Sequence, residues 1–323
     1  MYHRPRRNRK SAVIREMIAE TQLSVKHLIY PLFVTNQKNK KEVIESMPTV
    51  FRWSKDLVIK EIEECIALGI TSFVLFPVIS EEDKDKTASY SYDEDNFYLH
   101  LIRKIKDNFP DISLMSDVAM DPYSSDGHDG LVENGEIVND KTLSILAKMS
   151  LAQAQAGIDI IGPSDMMDGR IGYIREELDE KGFTNTSIMA YTAKYASAYY
   201  GPFRDALDSA PKLGDKKTYQ MNPANKREAL LEGILDAEQG ADYLMVKPAL
   251  AYLDVIHLMK DHFTLPITAY NVSGEFSMIH AAAQRGWLDY NEVMAETLLS
   301  IRRAGADGIL TYFAKDFARL ERS

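Results

Sequence analysis

The stretch from Asp289 to Tyr312, reading Asp289-Tyr290-Asn291-Glu292 and ending Ala304-Gly305-Ala306-Asp307-Gly308-Ile309-Leu310-Thr311-Tyr312, decides how the chain folds. Asp289 with Glu292 three residues on has the spacing of a capping box. Met294, Leu298 and Ile301 recur at helical spacing as one apolar stripe. Arg302 and Arg303 fall in the last turn, where cations complement the negative end of the helix dipole. Gly305 then accepts the left-handed conformation that closes a helix, and a short apolar run follows. The fragment is a helix passed directly to a buried strand.

The same junction recurs as Leu68-Gly69-Ile70-Thr71, Ala156-Gly157-Ile158-Asp159 and Gln239-Gly240-Ala241-Asp242. Apolar runs at 28–34, 72–78, 113–118, 159–162, 187–191, 243–247, 267–271 and 308–312 read as strands. They are continuous rather than alternating, as expected when both faces of a parallel sheet are covered. Pro31 is awkward inside the first of them, since it cannot donate to a central ladder. Eight alternations of strand and helix predict an α/β fold of the (β/α)8 TIM-barrel type over residues 27–323, with an N-terminal arm over 1–26. No Gly-x-Gly-x-x-Gly follows any strand, which argues against a dinucleotide fold.

With 323 residues, 45% of them hydrophobic, the chain can bury a barrel-sized core. A formal net charge of −10 argues against general nucleic-acid binding. The single cysteine, Cys65, excludes an intramolecular disulfide; it shares a helical face with Val58 and Ile62 and reads as a core thiol. No run of about 18 apolar residues reads as a membrane span and no signal peptide is apparent, so a cytoplasmic protein is expected. Three segments escape the repeat: the arm, with its basic run between residues 4 and 10; a charged, solvated loop at 80–96; and a stretch at 199–222 long enough to be an active-site lid.

In such barrels the reactive groups sit where strands end. Those ends offer Asp117, Ser164 with Asp165, Lys194, Lys247, Ser273 and Tyr312. Lys247 closes the apolar strand Tyr243-Leu244-Met245-Val246-Lys247, where a charged ammonium would be costly. A lysine desolvated in this way has a lowered pKa, and its neutral amine can attack a ketone to form an imine. Lys194 lies three residues past the preceding run, close enough for each ammonium to depress the other's pKa. Arg204, Lys216 and Gln220 on the lid suit one carboxylate, and the hydroxyls of Ser273 and Tyr312 suit another. Two imine sites and two carboxylate sites imply two copies of a small keto acid. The alternatives are a class I aldolase using Lys247 alone and a catalytically silent barrel serving as a binding module.

Tyr199-Tyr200-Gly201-Pro202-Phe203-Arg204-Asp205 and Met245-Val246-Lys247-Pro248, with segments 116–130, 164–172, 189–204, 214–223, 270–275 and 309–314, resemble the porphobilinogen synthase (5-aminolevulinate dehydratase) family. The resemblance covers nearly the whole chain. It implies a lyase that condenses two 5-aminolevulinate molecules to porphobilinogen on the way to tetrapyrroles. It also implies Schiff bases on Lys194 and Lys247, carboxylate binding by Arg204, Lys216, Gln220, Ser273 and Tyr312, and Asp117 and Ser164 as polar neighbours of the reacting amine. A homo-octamer built through the arms is implied as well. One departure stands out. Where zinc-dependent members carry three cysteines, this chain has Ala119, Asp121 and Asp129, so no active-site zinc is expected. Asp121 and Asp129 read here as loop residues rather than a cation site. Members of this non-zinc type are implied to use Mg²⁺ at a remote, stimulatory, allosteric site, whose ligand matches Glu232. From spacing alone, Glu232 is an exposed helix carboxylate.

Overall fold

The computed structural model of the chain describes residues 1–207 and 214–322; residues 208–213 of the expected 199–222 lid lie outside the described residues. Its strands are β1 (Leu28–Thr35), β2 (Lys41–Val43), β3 (Phe51–Ser54), β4 (Ser72–Val78), β5 (Ser113–Ser116), β6 (Val132–Glu133), β7 (Glu136–Ile137), β8 (Ile160–Ile161), β9 (Ser187–Lys194), β10 (Tyr243–Lys247), β11 (Ile267–Asn271) and β12 (Gly308–Thr311). Between and around them run α1 (Ala12–Met17), α2 (Leu57–Ala67), α3 (Phe97–Asn108), α4 (Asn139–Gln155), α5 (Arg170–Glu180), α6 (Gly201–Leu207), α7 (Glu228–Glu238), α8 (Leu253–His262), α9 (Ser273–Gln284), α10 (Tyr290–Ala304) and α11 (Ala314–Leu320). Eight parallel strands, in the order β12-β11-β10-β9-β8-β5-β4-β1, close on themselves through β12–β1 pairing. This is the expected TIM barrel.

The repeated junction works as its sequence suggests. Gly69, Gly157, Gly240 and Gly305 all have positive φ, from 91° to 124°. In α10 the Asp289 carboxylate accepts the Glu292 N–H at 2.9 Å, and Met294, Leu298 and Ile301 are buried. The aspartates that follow three of these glycines also bind backbone. Asp159, Asp242 and Asp307 accept the N–H groups of Leu114, Ile188 and Ile267, at 2.8, 2.7 and 2.9 Å. Each stitches a helix exit to the start of the strand before it.

Pro31 is fully accommodated in β1. The β12 pairing ends at Ile29 and the β3 pairing begins at Phe33, so Pro31 falls where that side of the strand has no ladder to break. Three expectations need correction. β9 runs on to Lys194 instead of stopping at residue 191, because Ala193 and Lys194 continue the ladder against Val246 and Lys247 of β10; Thr192, polar but fully buried, sits where the register of that pairing shifts. Segment 80–96 is not simply solvated, because Ser91 and Asn96 are wholly buried and the Asn96 carboxamide caps α3 through the Tyr98 N–H. The lid carries helical structure in α6 rather than irregular loop alone. Cys65 is buried as expected. Nearly all of the first 20 residues are exposed, in a 3-10 turn at Pro5–Arg9 and the short α1.

Candidate active site

β9 and β10 run side by side, and their register pairs Lys194 with Lys247 at the last rung. Both side chains end inside the protein, each residue only 6% exposed. Their surroundings differ sharply. Lys194 donates to Asp129 Oδ2 at 3.0 Å and to the Ser164 carbonyl oxygen. Asp129 also accepts from Lys216, whose Nζ donates to Asp121 Oδ2 at 3.1 Å. Burial alone would raise the Asp129 pKa, but Lys194 and Lys216 together hold it at about 2. The same two aspartates raise the Lys216 pKa against the opposing effect of its burial.

Asp121 and Asp129 are therefore not mere loop residues. They are buried and clasp the Lys216 ammonium, with Asp129 shared between two lysines. The sequence reading underestimated them because the partner, Lys216, lies some 90 residues away on the lid. Lys216, expected to face a substrate carboxylate, is here held by protein carboxylates.

Lys247 has no ion pair among the described residues. Burial, and then the neighbouring Lys194 charge, push its pKa down to about 7, against the pull of Asp117, Asp129 and Asp121. The mutual depression expected of the two lysines thus appears at Lys247, while Lys194 has a carboxylate for a partner. Four aromatic rings enclose the Lys247 ammonium nitrogen: Tyr270, Phe203, Tyr191 and Tyr200, with centroids at 4.6, 5.0, 5.1 and 5.2 Å. Asp117 is buried beside the pair; burial and then Asp121 raise its pKa to about 7, while Lys194, Lys247 and a hydrogen bond with the Ser164 side chain oppose the rise.

The lid is fastened to this centre. Tyr200 Oη donates to the Lys247 carbonyl at 3.2 Å, and the Phe203 N–H donates to Ser273 Oγ at 3.0 Å. Gly274 lets α9 approach so closely that an added Cβ would lie 2.5 Å from the Tyr199 carbonyl oxygen. Tyr219 Oη accepts the Asp129 N–H at 3.3 Å. Of the expected carboxylate-binding residues, Ser273 starts α9 against the lid, and Tyr312 shares a 2.8 Å hydrogen bond with the Tyr270 hydroxyl. Gln220 is buried one turn after Lys216, and Arg204 is half-buried on α6 next to Phe203.

Glu232 sits apart, on α7, lining a cavity of about 300 Å³ with Asp168, Glu228, Asn139, Asn222 and Asn225. It is half-buried, not exposed, and burial raises its pKa to about 7 against the attraction of Arg170, with Asp236, Asp168 and Glu228 adding to the rise. Sequence reasoning missed the aromatic enclosure entirely. The signals available were Tyr191 and Tyr270 within two barrel strands, and the aromatics of the 199–222 segment, among them Tyr200 and Phe203.

A closed barrel with two buried lysines on adjacent strand ends, one charge-depressed and one ion-paired, has the architecture of a TIM-barrel enzyme with its reactive groups at the carboxyl ends of the strands. The family profile described as "ALAD: Delta-aminolevulinic acid dehydratase" matches residues 2–320. The chain belongs to this family. It is 54% identical over 311 residues to the delta-aminolevulinic acid dehydratase of Chlamydia pneumoniae, covering 96% of this chain and 94% of that one. It is 56% identical to the chloroplastic enzyme of Physcomitrium patens, covering 96% of this chain and 72% of that one. The solved Toxoplasma gondii delta-aminolevulinic acid dehydratase, in complex with the reaction product porphobilinogen, superposes with a TM-score of 0.97 at 49% identity, over 99% of this chain and 92% of that one. Membership in a dehydratase family leaves neither the aldolase nor the silent-barrel alternative standing. Among the described residues, no helix is long and apolar enough to cross a membrane.

Proposed function

We propose that the protein condenses two 5-aminolevulinate molecules into porphobilinogen through imines on Lys247 and Lys194, as a step of tetrapyrrole biosynthesis. The observation that carries this reading is the Lys194–Lys247 rung, with one amine held near neutrality by burial. The unprotonated Lys247 nitrogen attacks the ketone carbon of one substrate; the carbinolamine loses water, giving a protonated imine. Asp117, near neutrality itself, exchanges protons with the amino group or carbinolamine beside it, and the Ser164 hydroxyl holds its orientation. Lys194 forms the second imine once its ammonium gives up a proton, and Asp117, whose pKa lies near 7 and which feels the Lys194 charge, is the group poised to accept it. Arg204 and Gln220 receive one substrate carboxylate, joined by Lys216 once it turns from Asp121, and Ser273 and Tyr312 receive the other.

The donor set at the substrate centre does not suit zinc. Ala119 offers no ligand, and both Asp121 and Asp129 are occupied by ammonium groups. What supports Mg²⁺ at the Glu232 cavity is a lining of carboxylates and amide oxygens with room for water; among the described residues no three acidic groups converge as a ready-made cage, so an ion there would be held mainly through water. There Glu232 would hold a stimulatory ion remote from the lysines. Exposed Val13 and Met17 on the arm favour a homo-oligomer, an octamer on this reading. The cytoplasm is the proposed location.

Incubation with 5-aminolevulinate and borohydride followed by peptide mass analysis tests the chemistry. Substrate mass should appear on Lys247 and, at saturation, on Lys194, and Lys247→Met should lose turnover by at least about a thousandfold, the scale of losing a covalent nucleophile. Normal turnover in that variant rules the mechanism out. For the metal, Glu232→Ala should abolish Mg²⁺ stimulation and leave basal turnover; stimulation that persists there and disappears in Asp121→Ala would move the ion to the substrate centre.

A further inference from the structure

The enclosure of Lys247 is unusual in what it withholds. An ammonium has three N–H donors and no acceptor role, and buried ammonium groups normally find carboxylates or carbonyls, as Lys194 and Lys216 do here. Lys247 instead meets four ring faces, two from the barrel strands β9 and β11 (Tyr191 and Tyr270) and two from the segment that follows β9 (Tyr200 and, on α6, Phe203). The rings are held in place by their own contacts. Tyr270 and Tyr312 share a hydroxyl hydrogen bond, Tyr200 donates to the Lys247 carbonyl, and Phe203 packs edge-on against Phe76 with centroids 5.1 Å apart.

We propose that Tyr191, Tyr200, Phe203 and Tyr270 form an aromatic cage that stabilises the positive charge of the iminium formed at Lys247, which makes the lid residue Phe203 part of the catalytic machinery. This rests on the imine reading above and deepens it. The amine and ketone combine with one proton, lose one water and leave a C=N bond whose charge is spread over nitrogen and carbon. That cation carries a single N–H, so it needs far fewer hydrogen-bond partners than the ammonium it replaces. Ring faces, which attract charge but accept hydrogen bonds poorly, suit the iminium better than the ammonium. The rings attract both cations, but the ammonium leaves three N–H donors unpaired in this enclosure and the iminium only one, so the net preference is for the intermediate. The Phe203 N–H bond to Ser273 Oγ fixes α6 against α9, so this helix supplies one wall of the cage.

Phe203 has no hydroxyl and is the clean place to test this. Fluorinated phenylalanines at position 203 (4-fluoro, 3,5-difluoro and 3,4,5-trifluoro) drain the negative ring face stepwise while barely changing its volume. Work on the alkaline side of the Lys247 titration keeps the resting amine neutral, so only the cationic product feels the change. The 5-aminolevulinate concentration giving half-maximal borohydride-trapped adduct on Lys247 should climb with each fluorine, by about tenfold across the series, within the reach of a desolvated cation–π contact. Thermal midpoints should stay level, because packing is preserved. If the trifluoro protein does not fold, the first two members carry the same trend. A flat series with normal Lys247 adduct overturns the cage alone; no Lys247 adduct in the unmodified protein overturns the imine reading and the cage with it.

Discussion

The two rims of the barrel use the same pair of residue types for opposite ends. At the rim where helices hand over to strands, Lys106 meets Asp159 at 2.8 Å and Lys260 meets Asp307 at 2.8 Å, with side chains between 18% and 41% exposed. Those aspartates also accept strand N–H groups, so the lysines merely complete a structural cap. At the opposite rim, Lys194 and Lys216 share Asp129 with side chains 1–9% exposed, and Lys247 has no carboxylate partner among the described residues. Water screens the first set far more than the second. A lysine–aspartate pair open to solvent is worth little, although, against its partial burial, Lys260 and the Ile267 N–H still lower the Asp307 pKa; the same pair in the core fixes charge states beside an amine near neutrality.

The sharpest way to break this contrast is Asp129→Asn. It keeps the side chain's shape but strips the charge that two buried ammonium groups share. Removing one partner of a buried pair costs about 3–5 kcal/mol, so thermal unfolding should fall by about 5–10 °C for a domain of this size. The loss should be greatest near neutral pH. The Asp129 pKa is depressed, so its stabilisation is present above its unfolded value near 4 and is lost as pH falls towards about 2. Wild type and variant should therefore converge in acid, as followed by calorimetry across pH. A midpoint unchanged at neutral pH would show that Asp129 is solvated and that the two rims are alike.

The rims also differ in how far the sequence exposed them. The structural rim was legible because its signals are local: Gly69, Gly157, Gly240 and Gly305 mark the helix exits, and capping and periodicity lie within one element. Lys247 was legible for the same reason, as a charge ending an apolar strand. What stayed hidden depends on long-range contact. Lys216 finds Asp121 and Asp129 across 95 and 87 positions. The rings around Lys247 come from two strands and from the lid segment, which no period announces. Thr192 ended the apolar run at residue 191 on paper, because a polar side chain that bonds its own strand looks like a strand end. Glu232 was misjudged as exposed because its burial depends on loops that fold over α7.

The smallest expected effect tests the structural rim. Lys260→Met keeps the aliphatic stem and removes the ammonium that Asp307 accepts at 2.8 Å. The pair is more than a third exposed on both sides, so solvent already screens most of its attraction. Asp307 also keeps its 2.9 Å hydrogen bond from the Ile267 N–H and a 3.6 Å approach to Arg302, so the strand start stays capped. Stability should fall by about 0.5 kcal/mol, a shift of about 1 °C in the thermal midpoint. Steady-state turnover should match the wild type, since Lys260 lies at the opposite end of the barrel strands from the lysine rung. Raising the salt concentration should shrink even this small difference, because screening weakens exposed pairs first. A drop of several degrees, or a loss of turnover, would mean that the exposed pairs hold the barrel in register and that the division of labour between the rims is less complete than the burial of their lysines indicates.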